Sequence, residues 1–224
     1  GWNPAVHITE RKVLPKEWMR IWSIDFGYTN PFVWQMWAID DDGRAILEKE
    51  IYRSQRTVAD HAQQILEVVT SNRDRVYIES SDGTRRIDPN ASRWIYPRPL
   101  KILCDHDAED RATLRRELDM ATAPATKTVS DGLQAMMRRL EVQGDGRARL
   151  EVCRTALVDR DESLADRGLP LGLIGEIPGY VWEVSADGKP SKDRPLKLND
   201  HSCDAARYLF ADLDLRAKAR VRFL

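Results

Sequence analysis

Residues 32–39, Phe-Val-Trp-Gln-Met-Trp-Ala-Ile, are apolar on both alternating faces with one exception, Gln35. Successive side chains of a strand point to opposite sides, so a run apolar on both must be covered from above and below. A single sheet with one wet face is thereby excluded, and a layered arrangement around a central strand is required. Sequence neighbours supply partners for it. Residues 21–24 form a compact β-favouring run ending at Asp25, and Phe26-Gly27-Tyr28-Thr29-Asn30-Pro31 is turn-forming. Asp40-Asp41-Asp42-Gly43 then carries an Asp-Gly hairpin signal, and 44–52 returns as a third strand. The acidic triplet reads as a solvated hairpin tip in preference to a metal site.

Helices follow. Thr57 and Asp60 form a capping-box pattern, and Val58, Ala62, Ile65, Leu66 and Val69 make one apolar helical face. Short strands are expected at 76–79 and 101–104, separated by a polar stretch, 80–99, that reads as an insertion or long loop. Residues 109–118 read as a helix, acidic first and basic later, as the helix dipole favours. A strand is expected within 121–127, a helix over 129–142 with Leu133, Met136, Met137 and Leu140 inward, and a strand over 147–154. A short helix and loop at 161–175, a hairpin within 180–198 and a helix from Asp200 to about 215 complete the order. Residues 1–20 read as an arm or lead-in, 21–215 as one domain, and 216–224 as a basic tail. Strands joined by hairpins and then alternating with helices make an α/β fold with a mixed central sheet flanked by helices.

With 224 residues, 42% of them hydrophobic, the chain can bury a core, and whole-chain disorder is excluded. No run approaches the ~18 apolar residues of a membrane span, and no secretory leader opens the chain. Gly1 in place of Met reads as the start of a fragment or processed chain. Three cysteines make no disulfide framework and point to a reducing compartment. A net charge of −1 does not advertise nucleic-acid binding, but local distribution matters more than the sum.

Three carboxylates stand out by position. Asp25 and Asp105 each end a strand, and Asp204 lies in the first turn or so of the last helix. Open α/β sheets place ligands outside the carboxyl ends of their strands, so these three can converge. Gathered carboxylates repel unless a cation neutralises them, and Mg²⁺ suits a few carboxylates plus a substrate phosphate. Two such ions ~4 Å apart hold the attacking and leaving oxygens of an in-line phosphoryl displacement. Asp200, four residues before Asp204, is either an auxiliary ligand or a helix N-cap.

The segments 24–31 (Ile-Asp-Phe-Gly-Tyr-Thr-Asn-Pro) and 197–208 (Lys-Leu-Asn-Asp-His-Ser-Cys-Asp-Ala-Ala-Arg-Tyr) resemble the nuclease domain of tailed-phage terminase large subunits. Leu103-Cys104-Asp105 is similar to that family's middle acidic motif, and Ala125-Thr126-Lys127 and residues 178–182 match its layout. The resemblance spans roughly residues 20–212. It implies a ribonuclease-H-like fold and a two-metal endonuclease that cuts concatemeric double-stranded DNA during genome packaging. Asp25, Asp105 and Asp204 would be the catalytic acids, binding two Mg²⁺ or Mn²⁺ ions, and 180–198 a hairpin beside the site. Lys127 would orient water or stabilise charge, or be a plain surface lysine; His201 would support the metals or cap the helix. The implied partners are DNA, an ATPase motor domain, the small terminase subunit and the portal, in an oligomeric motor in the host cytoplasm at the procapsid; the isolated domain is expected to be a monomer. No G-x-x-x-x-G-K-[ST] phosphate loop occurs here, so the motor was cut away or never present.

For DNA contact the candidates are Arg85, Arg86, Arg93, Arg98 and Lys101, interleaved with Trp94 and Tyr96, together with Lys189, Lys192 and Arg194. Such phosphate contacts give sequence-independent, salt-sensitive affinity. Three competing readings remain. A zinc set of Cys104, His106, His201 and Cys203 could not share a pocket with Asp105, because 104 and 106 face away from 105, and its spacing is unlike that of usual zinc pairs. Residues 23–30 also resemble the first phosphate loop of actin-like and sugar-kinase ATPases, with Asp82-Gly83-Thr84 as the only second loop. The third is a non-catalytic assembly module, against which all three carboxylates are present.

Overall fold

The structure, a computed structural model, describes all residues other than 12, 127–128, 181, 185–189, 196–198 and 222–224; for 182–184, 190–195 and 215–221 it gives the backbone path alone. The chain opens with a short helix, α1 (Pro4–His7), capped by the Asn3 side chain, and a two-residue strand, β1 (Ile8–Thr9). His7 is buried and its Nε2 pairs with the Leu140 carbonyl at 2.9 Å, so this lead-in is tied to the body of the protein. An antiparallel meander follows: β2 (Met19–Asp25), β3 (Phe32–Ile39) and β4 (Ala45–Arg53). The acidic triplet between β3 and β4 is a turn. Gly43 takes φ +76°, and Asp40 accepts from the backbone N–H of Asp42 and Arg44 and pairs with the Arg44 guanidinium at 2.6 Å. The carboxylate of Asp40 thus serves the turn itself.

Helix α2 (Val58–Val69) starts at Thr57 with the expected capping box and buries Ala62, Ile65, Leu66 and Val69. The strand expected at 76–79 is β5 (Tyr77–Glu79), and it pairs antiparallel with β6 (Arg85–Ile87), which lies inside the stretch read as a loop, to make a separate hairpin. Strand β7 (Lys101–Cys104) leads to α3 (Ala108–Leu118), β8 (Ala123–Pro124), α4 (Val129–Arg139) and β9 (Leu150–Cys153). Two short helices, α5 (Glu162–Asp166) and α6 (Leu173–Glu176), and one 3-10 turn, Ile177–Gly179, precede the hairpin of β10 (Trp182–Val184) and β11 (Pro190–Pro195). The last helix, α7 (His201–Val221), runs past the expected end near 215, so residues read as a basic tail continue it.

The central sheet has the order β1-β9-β4-β3-β2-β7-β8, with β7 parallel to β2 and β9 parallel to β4. Helices α4 and α7 cover one face, packing around Ile21, Trp37, Leu103 and Phe210. Helices α2 and α3 cover the other, around Trp22, Ile24, Trp34, Met36 and Ile102. Both faces of β3 are therefore dry, as its sequence requires, and each large side chain buried there contributes on the order of 2–3 kcal/mol. Helix α4 approaches α7 closely at Gly132, where a Cβ would collide with the Arg207 side chain. Among the described residues no helix is long and apolar enough to cross a membrane.

Candidate active site

Strand β2 ends at Asp25, and the next ladder bond beyond its parallel register with β7 runs from the Asp105 N–H to the Ile24 carbonyl at 3.1 Å. Asp25 and Asp105 therefore emerge side by side at the carboxyl edge of adjacent strands. Alternation puts them on the α7 face, because Ile24 and Cys104 belong to the opposite core. Helix α7 then begins over this edge. Asn199 adopts φ +51°, a left-handed conformation that Asn tolerates better than most residues, and the Asp204 N–H donates to the Asp200 carbonyl at 2.7 Å.

The first two turns of α7 reach down to β2. The Tyr208 hydroxyl donates to Asp25 Oδ1 at 2.9 Å, and His201 Nδ1 lies 3.3 Å from Asp25 Oδ2. Asp204 Oδ1 accepts from Arg207 Nε at 3.1 Å and from the Tyr180 hydroxyl at 3.4 Å. Burial raises the Asp25 carboxyl above the usual carboxylate range; the His201 hydrogen bond opposes this, and the charge of Asp204 adds to it. That hydrogen bond in turn raises the His201 imidazole, against the effect of burial. The Tyr208 hydroxyl is pushed up first by burial and then by the charges of Asp25, Asp204 and Asp105. All three sequence-selected carboxylates thus act on one tyrosine.

Among the described residues no three carboxylate, imidazole or thiol groups already surround a common point closely enough to hold an ion. Their oxygens are instead engaged by protein donors: Tyr208 and His201 on Asp25, Arg207 and Tyr180 on Asp204, and the His106 N–H on Asp105 Oδ1 at 2.6 Å. The donor set nevertheless fits a hard divalent cation. It consists of carboxylate oxygens from separate elements, two of which repel, at an edge where Arg207 is the nearby guanidinium.

The other candidates fall differently. Lys127 and Lys189 lie outside the described residues, and Lys192 sits on β11, where the backbone alone is described. Arg86 is engaged with Glu117 at 3.0 Å, Arg93 with Asp74 at 3.3 Å, and the Arg85 guanidinium lies over the Tyr77 ring. The hairpin of Arg85 and Arg86 packs through Ile87 on the α2 face, one sheet thickness from the face that carries the acids. Asp82-Gly83-Thr84 forms the tip of that hairpin. Cys104 and Cys203 are buried in opposite cores and His106 is exposed, so the zinc set does not assemble.

The sequence reading passed over a buried polar row. Ser23, Gln35 and Glu50 are cross-strand neighbours, all at most 3% exposed. Gln35 Nε2 donates to Glu50 Oε1 at 3.0 Å and reaches the Ser202 hydroxyl at 2.8 Å. Glu176 joins from α6, accepting from the Tyr52 hydroxyl at 2.6 Å and from the Cys203 N–H at 2.9 Å. The one polar residue in an otherwise apolar run was the available signal.

No family model matches the chain. The terminase large subunit of Escherichia phage T5 is 26% identical over 190 residues, a match that covers 83% of this chain and 33% of that protein. The chain therefore spans about a third of the length of this curated relative. Among solved structures, the large terminase of a thermophilic bacteriophage, in complex with ADP, superposes with a TM-score of 0.61 at 19% identity, over 93% of this chain and 42% of that one. The P22 large terminase nuclease domain gives 0.58 at 15%, over 94% and 89%. The large terminase nuclease domain of bacteriophage SPP1, solved with bound Mn, gives 0.52 at 15%, over 89% and 99%. The likeness to phage large terminases holds in sequence with the T5 protein, and the architecture is the ribonuclease-H-like fold of the P22 and SPP1 nuclease domains.

Proposed function

We propose that this chain is a metal-dependent endonuclease domain that cleaves double-stranded DNA by two-metal phosphodiester hydrolysis during phage genome packaging. The observation that carries the reading is the gathering of Asp25, Asp105 and Asp204 around Tyr208 at one sheet edge. The name of the T5 relative and the Mn bound in the SPP1 nuclease domain support it.

Asp25, Asp105 and Asp204 would hold the cations, Mg²⁺ or Mn²⁺, with Asp200 as a further candidate ligand. When bound, the ions would supply Lewis-acid activation of water and charge stabilisation at the departing 3′ oxygen. The chain's own groups do the rest. Tyr208 holds Asp25 Oδ1, leaving Oδ2 to be released by His201. Arg207 partly balances Asp204 and, at the same edge, would be the guanidinium available to a scissile phosphate. The β10–β11 hairpin, Lys127, Lys189 and Lys192 would grip the backbone of the duplex without reading sequence.

Residues 21–215 would form the nuclease unit, working beside an ATPase motor domain and with the small subunit and the portal in the host cytoplasm. The chain on its own would be a monomer with weak, salt-sensitive DNA binding. Supercoiled-plasmid nicking with Mn²⁺, Mg²⁺ and EDTA tests the reading. Cleavage should need a divalent ion, and Asn at position 25, 105 or 204 should abolish it in a folded protein. Full activity in Asp25→Asn would discard the assignment.

A further inference from the structure

The N–H groups of a helix's first turn have no partner within the helix and are commonly met by the helix's own N-cap side chain. The first turn of α7 is also held by groups from outside the helix. The Cys203 N–H donates to Glu176 Oε2 at 2.9 Å, and the Ser202 hydroxyl donates to Glu50. Gln35 Nε2 donates to the Ser202 carbonyl at 3.0 Å, which ties β3 to the same turn. Glu50 also accepts from the Leu173 N–H at 3.0 Å, and so binds α6 to the group. Gly172, at φ +151°, lies so close that a Cβ there would collide with the Glu50 carboxylate.

Glu50 and Glu176 are 3% and 2% exposed. Burying two acids near one another is costly, and a hydrophobic replacement of the same volume would often be more stable. Helix α7 does not need them to stay on the sheet, since Ala205, Ala206, Leu209 and Phe210 already bury its apolar side. What they add is a fixed first turn, the segment that presents His201 and Asp204 to Asp25. We propose that Glu176, backed by Glu50 and Gln35, is a positioning residue that sets the approach of Asp204 and His201 to Asp25; the role rests on the nuclease reading of Asp204.

The test uses the whole chain and two readouts: Mn²⁺ binding followed by electron paramagnetic resonance, and amide hydrogen exchange over residues 201–204. Glu176→Ala should expose the Cys203 amide to exchange and weaken Mn²⁺ binding about 10–100-fold, the range found when supports of metal ligands are removed. In plasmid nicking, kcat should fall while the KM for DNA stays unchanged. Glu176→Gln keeps an acceptor for the Cys203 N–H and an amide for the Tyr52 hydroxyl, so it should restore both readouts. If Glu176→Ala does not fold, Tyr52→Phe, which removes one of the two hydrogen bonds at Glu176, carries the same expectation at smaller amplitude. Mn²⁺ affinity and Cys203 protection equal to the wild type in these variants would overturn the positioning role alone. A wild-type chain that takes up no Mn²⁺ would overturn the nuclease reading, and the positioning role with it.

Discussion

The two faces of the central sheet are built from the same strands and solve opposite problems. On the α2 face, Trp22, Ile24, Trp34, Met36 and Ile102 make an apolar layer, and several buried nitrogens there lack a hydrogen-bond partner, among them Nε1 of Trp22 and Trp34 and both ring nitrogens of His61. On the α7 face, the alternate residues include an apolar core of Ile21, Trp37 and Leu103, but also Ser23, Asp25 and Gln35 and, from β4, Glu50, each hydrogen-bonded to another element. One face stores stability and tolerates unsatisfied nitrogen. The other spends some of it to orient carboxylates, and the acid-bearing edge lies on that face alone.

The largest effect expected from this contrast is on the apolar face. Trp34→Ala removes a fully buried ring and should cost ~3–5 kcal/mol, read by chemical denaturation. The same variant, where folded, should still bind Mn²⁺, because Trp34 points away from α7. Loss of metal binding in a folded Trp34→Ala protein would break the division between the faces.

Next in size is a pH effect of His61, which is fully buried and stacked on Phe32 at 4.0 Å. Burial, reinforced by Arg56, lowers its imidazole from 6.5 to about 4. The unfolded chain thus binds this proton more readily than the folded one. Stability is fully present above about pH 6.5 and declines as pH falls toward 4, by up to ~3 kcal/mol. His61→Leu should flatten that part of the pH–stability curve and leave stability at neutral pH unchanged or higher, since two orphaned nitrogens disappear. An unchanged slope in the variant would show that the acid sensitivity arises elsewhere.

On the opposite side the comparable group is Asp161, which caps α5. Burial works to raise its carboxyl, but hydrogen bonds from Ser54, Ser163 and Leu164 outweigh that and hold it at about 2. Its contribution is complete above about pH 4 and is lost as pH falls through 2, worth ~2.5 kcal/mol. Asp161→Ala should therefore lower stability at pH 7 by about that amount and remove the lower acid transition, while the His61 step persists. Urea midpoints measured at pH 7, 5 and 3 separate the two windows.

Both faces were legible in sequence to different depths. Strands β3 and β7 and helix α2 announce themselves because burial repeats with the period of the element, and the capping box at Thr57 marks a boundary. Strand β1 carries no such signal: two residues pair with Val152 and Cys153 far along the chain, and nothing local specifies it. Strand β5 was legible, but its partner β6 was hidden because Arg85 and Arg86 are exposed or half-buried, so no run of apolar residues marks 85–87 as a strand. Of the candidate site, Asp25, Asp105 and Asp204 could be picked out as strand-end and helix-start carboxylates, and the structure places Asp25 and Asp105 at one sheet edge with Asp204 over it. Glu50 and Glu176 could not, since their partners come from other elements and a glutamate within a strand or short helix looks like surface.

Gln35 is where the contrast can be sharpened most finely. It is the single polar residue of a dry strand, and it bridges Glu50 and Ser202 while its Oε1 accepts from Trp37 Nε1 at 3.1 Å. Replacing it with Leu keeps roughly the same volume and makes the strand apolar throughout. The Trp37 N–H retains Ser23 Oγ as a partner at 3.1 Å, and Ser202 retains Glu50, so few polar atoms are stranded. The expected stability loss is only ~1–2 kcal/mol. Cleavage should fall by more than stability predicts, because the tie between β3 and the first turn of α7 is gone. A Gln35→Leu protein that unfolds in urea slightly early yet nicks plasmid at the wild-type rate would mean that the polar face, like the apolar one, serves stability alone.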